Sequence, residues 1–150
     1  MKELPVREFR SILRHFEREL GIQNQSGCCC GVTITQCHVL MELDRSDNIT
    51  LNELSSRLSL DKSTVSRTVE TLVNNGLIDR TIPKSNRRTT LITLSKNGKK
   101  TCKTINSGND RYYRKVLSAI PAGDRTSFLG GFKSMARAME LQNTSRSRKI

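Results

Sequence analysis

Residues 51–75, LNELSSRLSLDKSTVSRTVETLVNN, contain two short amphipathic patterns separated by only a few residues. Thr50 and Glu53 form a capping-box pair, in which each side chain bonds the backbone amide of the other, so a first helix is expected from Leu51 to Leu58. The second pattern follows at once, and two helices joined by so short a connection must cross. The stretch therefore predicts a helix-turn-helix.

The second helix of this pair has two different faces. Asp61 or Ser63 is expected to cap it. Its apolar stripe, which should be buried, consists of Val65, Val69, Leu72 and Val73. The opposite face is small and polar over the run KSTVSR, and Arg67 is long enough to reach a guanine edge. A slim polar leading turn is what a helix needs to enter the major groove of DNA, although a solvated helix of any small α domain would show the same pattern.

A β-hairpin is predicted directly after this helix. Gly76 stops the helix, because it takes the left-handed conformation without a Cβ penalty. Leu77 to Ile82 and Thr89 to Leu94 are expected to be strands, with the turn PKSNRR between them. Such a hairpin is a wing, and positive side chains at its tip favour contacts with the minor groove and with phosphate. These side chains are Lys84, Arg87 and Arg88.

The order of these motifs resembles the winged-helix core of the MarR family of bacterial transcription regulators. The resemblance covers residues 32–98, from GVTITQCHVLMEL through the helix-turn-helix and the hairpin to the Leu-Ser-x-x-Gly after it. It implies a dimeric regulator of duplex DNA. It also implies that the recognition helix carries Lys62, Ser63, Thr64, Ser66 and Arg67, and that the wing carries Arg87 and Arg88. The family's wing usually has an aspartate before the arginines, where this chain has Asn86, so an ion pair cannot brace them.

Length and charge agree with a DNA-binding protein. The chain has 150 residues, a length that suits a single domain over residues 1–150. It carries 26 Lys and Arg against 14 Asp and Glu, and a net charge of +12 favours a polyanion as partner. No run of 18 apolar residues occurs and the N-terminal residues include acidic ones, so a cytoplasmic location without a membrane partner is expected.

Amphipathic helices are expected on both sides of the winged core. Residues 4–20 form the first, Ser95 caps a second that runs towards Ile120, and Asp124 caps a third. Their apolar stripes exceed what a small winged domain must cover, so residues 1–24 and 99–142 are expected to form a homodimer interface. The stripes include Phe9, Ile12, Phe16, Phe128, Phe132, Met135 and Met139, and residues 143–150 are expected to be a disordered basic tail. The predicted fold class is thus mainly α with a small antiparallel β-hairpin.

Cysteines are clustered near the start of the core. The cluster precedes a helix that Thr33 or Thr35 is expected to cap, and amides at a helix N-terminus lower the pKa of nearby thiols. Reactive thiolates are therefore predicted in this loop. The loop cysteines are Cys28, Cys29 and Cys30, and Cys37 is expected on the helix that follows, from which it could approach the loop of its own subunit or of a dimer mate.

Four interpretations of this cluster are open. It could sense a thiophilic metal or metalloid ion, which is the only cofactor the pattern suggests. It could sense an oxidant or electrophile by thiol modification. A structural zinc site fits poorly because C-x₂₋₄-C spacing is missing, and simple packing is the remaining interpretation. Cys102 is expected to be a core residue.

Catalysis is disfavoured, and no catalytic residue is assigned. The chain contains no glycine-rich phosphate loop and no C-x-x-C pair. A cysteine-dependent redox enzyme and a winged-helix module for protein or RNA are the alternatives. The expectation is a homodimeric, sequence-specific regulator, with repression as the expected sign, that a small inducer such as a metal ion, oxidant or electrophile releases from operator DNA.

Overall fold

The computed structural model describes residues 4–25, 30–46, 48–83 and 89–147. These described residues form six helices and three short strands, which confirms a mainly α fold with a small antiparallel sheet. The chain contains two compact units, Met1–Gly108 and Asn109–Ile150. The elements are α1 (Val6–Gln25), α2 (Ile34–Arg45), β1 (Ile49–Thr50), α3 (Leu51–Leu58), α4 (Lys62–Asn74), β2 (Ile78–Thr81), β3 (Leu91–Leu94), α5 (Lys96–Ala119) and α6 (Arg125–Ser147).

The helix-turn-helix consists of α3 and α4, with the predicted ends. The Thr50 hydroxyl accepts from the Glu53 amide at 3.2 Å, and the Glu53 carboxylate accepts from the Thr50 amide at 2.7 Å. Ser59 ends α3 in the left-handed conformation, with φ of 52°. Asp61, one of the two predicted caps, begins α4 by accepting from the Thr64 amide at 2.8 Å. The connection is therefore as short as the sequence indicates.

A hydrophobic core lies beneath the helix-turn-helix. Helices α2, α3 and α4 pack against one another, β3 contacts α2, and β2 contacts α4. The apolar stripe of α4 faces this core as predicted, because Val65, Val69 and Leu72 are fully buried. Ser55 is buried despite its polar side chain, and its hydroxyl donates to the Leu51 carbonyl at 2.8 Å. The position of α4 is thus determined by burial of one of its faces.

The sheet has three strands, because a third strand, β1, joins the predicted antiparallel hairpin of β2 and β3. The strand order is β1-β3-β2, and both pairings are antiparallel. Ile49 of β1 pairs with Ile92 of β3, and both side chains are buried. A two-residue strand has no periodicity of its own and forms only because its partner is already in place. The other two strands are shorter than predicted.

The start of α5 is attached to the turn that follows α4. The Ser95 hydroxyl accepts from the Gly98 amide at 3.0 Å, which confirms Ser95 as a cap, and donates to the Gly76 carbonyl at 2.7 Å. The Ser95 amide donates to the Leu77 carbonyl at 3.0 Å. Gly76 has φ of +68°, the left-handed conformation expected of a helix-stop glycine.

Two helix ends differ from the sequence expectation. Helix α1 continues to Gln25, beyond the predicted end at residue 20. Helix α6 continues to Ser147, so residues 143–147 are helical and the prediction of a disordered tail from residue 143 is wrong for them. No proline or glycine interrupts this segment, and the Thr144 hydroxyl donates to the Glu140 carbonyl at 2.9 Å. A polar composition alone does not end a helix.

The terminal helices expose apolar side chains in the single chain. On α1 these include Phe9, Ile12 and Phe16, and on α6 they include Phe128, Leu129, Phe132 and Met139. Arg125 donates to the Ile120 carbonyl at 3.0 Å, just after the C-terminal end of α5.

Within the described ranges, none of the helices combines the length and the apolar character needed to cross a lipid bilayer.

Candidate nucleic-acid interface

The face of α4 opposite the core is polar and accessible. All five residues predicted to read DNA from this helix lie on it or on its flank. Lys62, Ser63 and Arg67 are exposed, whereas Thr64 and Ser66 are half-buried. Small side chains at the leading turn leave the helix slim where it would enter a groove. DNA contact by these residues stays a prediction.

A hydrogen-bond network surrounds the first turn of α4. One carboxylate oxygen of Asp61 accepts from the Ser63 hydroxyl at 2.6 Å and from the Thr64 amide at 2.8 Å. The other oxygen accepts from the Thr64 hydroxyl at 2.6 Å. These bonds, first that from Ser63 and then those from Thr64, hold the pKa of Asp61 well below its ordinary value. The carboxylate is therefore ionised under all physiological conditions.

Arg67 lies along this same turn. Its Nε donates to the Ser63 carbonyl at 3.3 Å, and its Nη2 donates to the Ser63 hydroxyl oxygen at 3.3 Å. Both bonds are long, so the guanidinium can exchange them for better acceptors on a base or a phosphate at little cost. Arg67 thus lies against the first turn of α4.

Two ion pairs, which sequence analysis did not identify, connect the site to its surroundings. Arg80 on β2 pairs with Glu70 on the exposed face of α4 at 2.8 Å. Arg57 on α3 bonds Glu42 on α2 at 3.1 Å and the Ser46 hydroxyl at 2.6 Å. No local spacing signals these pairs, because each joins residues on different elements. They link β2 to α4 and α3 to α2.

The wing tip and part of the cysteine cluster lie outside the described residues. This applies to Lys84, Arg87, Arg88, Cys28 and Cys29.

The remaining cysteines lie in or against the hydrophobic core. Cys30 is half-buried and packs against it, Cys37 on α2 is buried at 9% exposure, and Cys102 on α5 is fully buried. Helix α2 begins at Thr33, one of its predicted caps, through a capping box with Gln36. Among the described residues, which lack two cysteines of the cluster, no three His, Cys, Asp or Glu side chains are grouped so that they could hold a metal ion.

Cys102 is a core residue, as predicted. Its thiol donates to the Leu40 carbonyl at 3.6 Å. Burial, assisted by the negative charge of Asp44, raises the pKa of the Cys102 thiol to about 11. Because the thiolate is the nucleophile and the metal ligand, this cysteine is chemically inert at neutral pH.

Comparison with known proteins agrees with the geometry. Residues 32–90 match the model of the MarR family. The chain is similar to the uncharacterised HTH-type transcriptional regulator YdgJ of Bacillus subtilis (strain 168), with 21% identity over 113 residues that cover 75% of this chain and 68% of that protein.

The solved structures with a similar fold include proteins from two other bacteria. A MarR family protein from Bacillus stearothermophilus superimposes with a TM-score of 0.80 at 22% identity, covering 93% of this chain and 99% of that one. Streptococcus pneumoniae FabT, in complex with DNA, superimposes with a TM-score of 0.77 at 18% identity, covering 89% and 96%. Residues 32–90 therefore form a winged helix-turn-helix that matches the MarR family, and the chain has the fold of these two solved structures.

Proposed function

We propose that this protein is a homodimeric, sequence-specific repressor that inserts α4 into the major groove of operator DNA. The proposal rests on the two faces of α4. Val65, Val69 and Leu72 are fully buried, whereas Lys62, Ser63 and Arg67 at the polar leading turn are exposed. A helix held this way presents Ser63, Thr64 and Arg67 to base edges without needing to move. Arg67 is the residue suited to a guanine edge.

Charge supports the same proposal. A net charge of +12 attracts duplex DNA, and binding should weaken as salt rises, because the release of counterions then contributes less. The wing residues Lys84, Arg87 and Arg88 are proposed to contact the minor groove and phosphates beside the site read by α4. A protein that acts on operator DNA is expected in the cytoplasm.

A second copy of the chain is proposed to pack against the terminal helices. The exposed apolar side chains of α1 and α6 would otherwise leave large apolar surfaces in water. A two-fold dimer repeats the recognition helix, so the proposed operator is roughly palindromic, with half-sites about one helical turn apart.

Thiol chemistry is the proposed inducing signal. The sensing residues are Cys28, Cys29, Cys30 and Cys37. Cys30 packs against the core that contains Cys37, and α2, which carries Cys37, packs directly against α4. A new bond at these sulfurs, whether to a thiophilic ion or after oxidation, would displace α2 and with it the recognition helix. A coupling of about 1 to 3 kcal/mol would relieve repression.

DNA reading is tested by selecting binding sites from a randomised duplex library and then measuring the affinity of variants for the selected site. Arg67→Ala should lose about 1 to 3 kcal/mol and relax preference at one position of each half-site. Arg10→Ala, which removes the same charge from an exposed position on α1, should keep the preference. Equal loss of affinity for selected and random DNA in the Arg67 variant would contradict the assignment.

Repression is tested with the selected site placed over a promoter. Wild-type protein should lower expression of the reporter. An increase in expression would show activation and contradict the proposed repression.

The inducer proposal is tested by titrating reduced protein on DNA with copper(I), arsenite or hydrogen peroxide. Serine at positions 28, 29, 30 and 37 should leave DNA affinity near wild type and abolish release. Cys102→Ser should still respond, because its thiol is buried and protonated. Release of the quadruple variant as readily as wild type would show that the inducer acts elsewhere.

A further inference from the structure

The hydroxyl groups of Ser63 and Thr64, in the first turn of α4, both donate hydrogen bonds to the Asp61 carboxylate. A carboxylate can only accept hydrogen bonds, so the hydroxyls of Ser63 and Thr64, each 2.6 Å from one of its oxygens, must be the donors. Each hydroxyl has one hydrogen and two lone pairs. Outward from the helix, both groups therefore offer lone pairs only.

We propose that Asp61 makes Ser63 and Thr64 acceptor-only readers, which select adenine or cytosine, the bases with an amino group on their major-groove edge, on the strand that these side chains face. The inference rests on the proposed function, that α4 reads the major groove. An amino donor is found there on adenine N6 and cytosine N4, whereas guanine and thymine present acceptors. Bases whose own edge carries only acceptors would face these oxygens unpaired, and are rejected.

The bonds to Asp61 are strong enough to persist on DNA. They are charge-assisted, a class roughly twice as strong as neutral hydrogen bonds. The depressed pKa of Asp61 also means that the carboxylate does not become a donor at neutral pH. A hydroxyl that turned its hydrogen towards a base would leave a carboxylate oxygen short of one bond. The acceptor role is thus built into the free protein.

Arg67 complements this arrangement. Its guanidinium has only donors, which match guanine O6 and N7. In the free protein its Nη2 occupies one lone pair of the Ser63 hydroxyl at 3.3 Å. Moving Arg67 onto a base releases that lone pair for a neighbouring amino group. The leading turn therefore reads an amino-bearing base beside an acceptor-bearing one.

Asp61→Asn is the sharpest variant, because it keeps the helix cap and changes one atom. Asparagine caps helices as well as aspartate does. Its oxygen can keep the bonds from the Ser63 hydroxyl and the Thr64 amide, which share one carboxylate oxygen in the wild type. Its amino group then faces the Thr64 hydroxyl and donates to it. The Thr64 hydrogen becomes available to DNA.

Base preferences are measured by selection from a randomised duplex library with wild type, Asp61→Asn and Thr64→Val. Wild type should prefer adenine or cytosine over guanine or thymine by roughly three- to tenfold at the position of each half-site that the Thr64 hydroxyl faces. Asp61→Asn should accept guanine or thymine there, and Thr64→Val, which has no hydroxyl, should lose the preference. All affinities are divided by affinity for random duplex, because Asp61→Asn removes a negative charge and should bind every duplex more tightly.

A base analogue gives an independent measurement. Replacing the amino group of the selected adenine or cytosine by hydrogen should weaken wild type roughly three- to tenfold and leave Thr64→Val unchanged. If wild type selects no sequence above random, the proposed function itself fails. If it selects a sequence but Asp61→Asn and Thr64→Val keep the wild-type base preferences, the acceptor-only inference alone is overturned.

Discussion

At Gly98 the first turn of α5 passes so close to Leu77 that a Cβ would lie 2.0 Å from the Leu77 carbonyl oxygen. That oxygen is not free to move, since it accepts from the Ser95 amide. The contact joins α5 to the turn between α4 and β2. Because Gly98 has no Cβ, α5 can pack against the turn that joins α4 to the wing.

Gly98→Ala should therefore destabilise the protein by about 3 kcal/mol, because backbone atoms must shift to admit the methyl group. The free energy of unfolding is measured in urea. Gly123→Ala is the matched control, since a Cβ at this turn glycine meets nothing within 4 Å, and it should be neutral or slightly stabilising. Equal stabilities for the two variants would show that the approach at Gly98 relaxes without cost.

The buried Cys102 thiol is expected to lower the free energy of unfolding as pH rises in the alkaline range. Its folded-state pKa is raised to about 11, so the folded state holds the thiol proton that the unfolded chain releases near pH 9. The contribution is complete below pH 9 and is lost as pH rises towards 11. We expect wild type to lose about 2 kcal/mol more than Cys102→Ala over this window. The free energy of unfolding is measured in urea at each pH. If wild type and Cys102→Ala lose the same amount, the folded protein does not retain the Cys102 thiol proton over this window.

At the scale of elements, the helix-turn-helix depends on how its helices begin. The Glu53 carboxylate accepts from both the Thr50 amide and the Thr50 hydroxyl, and the pKa of Glu53 is lowered chiefly by the amide bond. The same box occurs at the start of α2. Each box satisfies amides that no helix can satisfy internally. These local bonds place the start of α3 directly after β1.

Thr50→Ala should cost about 1 kcal/mol, because the Glu53 amide loses its acceptor. Thr50→Ser keeps the hydroxyl and should stay close to wild type. The comparison is made by urea unfolding near neutral pH, where Glu53 is ionised and its return bond to the Thr50 amide is present. A serine variant as unstable as the alanine variant would assign the effect to the threonine methyl group and not to the cap.

For the whole molecule, the decisive feature is apolar surface that a single chain leaves in water. Phe16 on α1 is 38% exposed and Phe132 on α6 is 40% exposed, and each belongs to a longer apolar stripe. Within unit Asn109–Ile150, Phe128 and Phe132 stack with ring centroids 5.8 Å apart. Such surfaces are expected to be covered, and a second copy of the chain is the proposed cover.

Phe16→Glu or Phe132→Glu should dissociate this dimer, because an unpaired carboxylate would have to enter an apolar interface. Lys133→Glu places the same carboxylate one residue further along α6 at an exposed position and should leave the dimer intact. Sedimentation velocity at micromolar concentration measures the change, with far-UV circular dichroism to confirm folding. A folded wild-type monomer at that concentration would refute the dimer.

The sequence by itself determined the features that arise from neighbouring residues. The capping boxes, the stop at Gly76 and the ends of α3 and α4 depend on bonds between residues three or four apart, so their signals are local. The side of α4 that is buried follows from its helical period. The same period suffices to place Ser63, Thr64 and Arg67 on the side of α4 that faces away from the core.

Only the tertiary structure decided features that join distant segments. The strand β1 exists because Ile49 meets Ile92, and Arg80 meets Glu70 only when the wing strand lies beside α4. The burial of Cys37 and the contact between Gly98 and Leu77 likewise arise from how elements pack. Local periodicity carries no information about such pairs, because the distance between two segments is determined by the packing of the whole core.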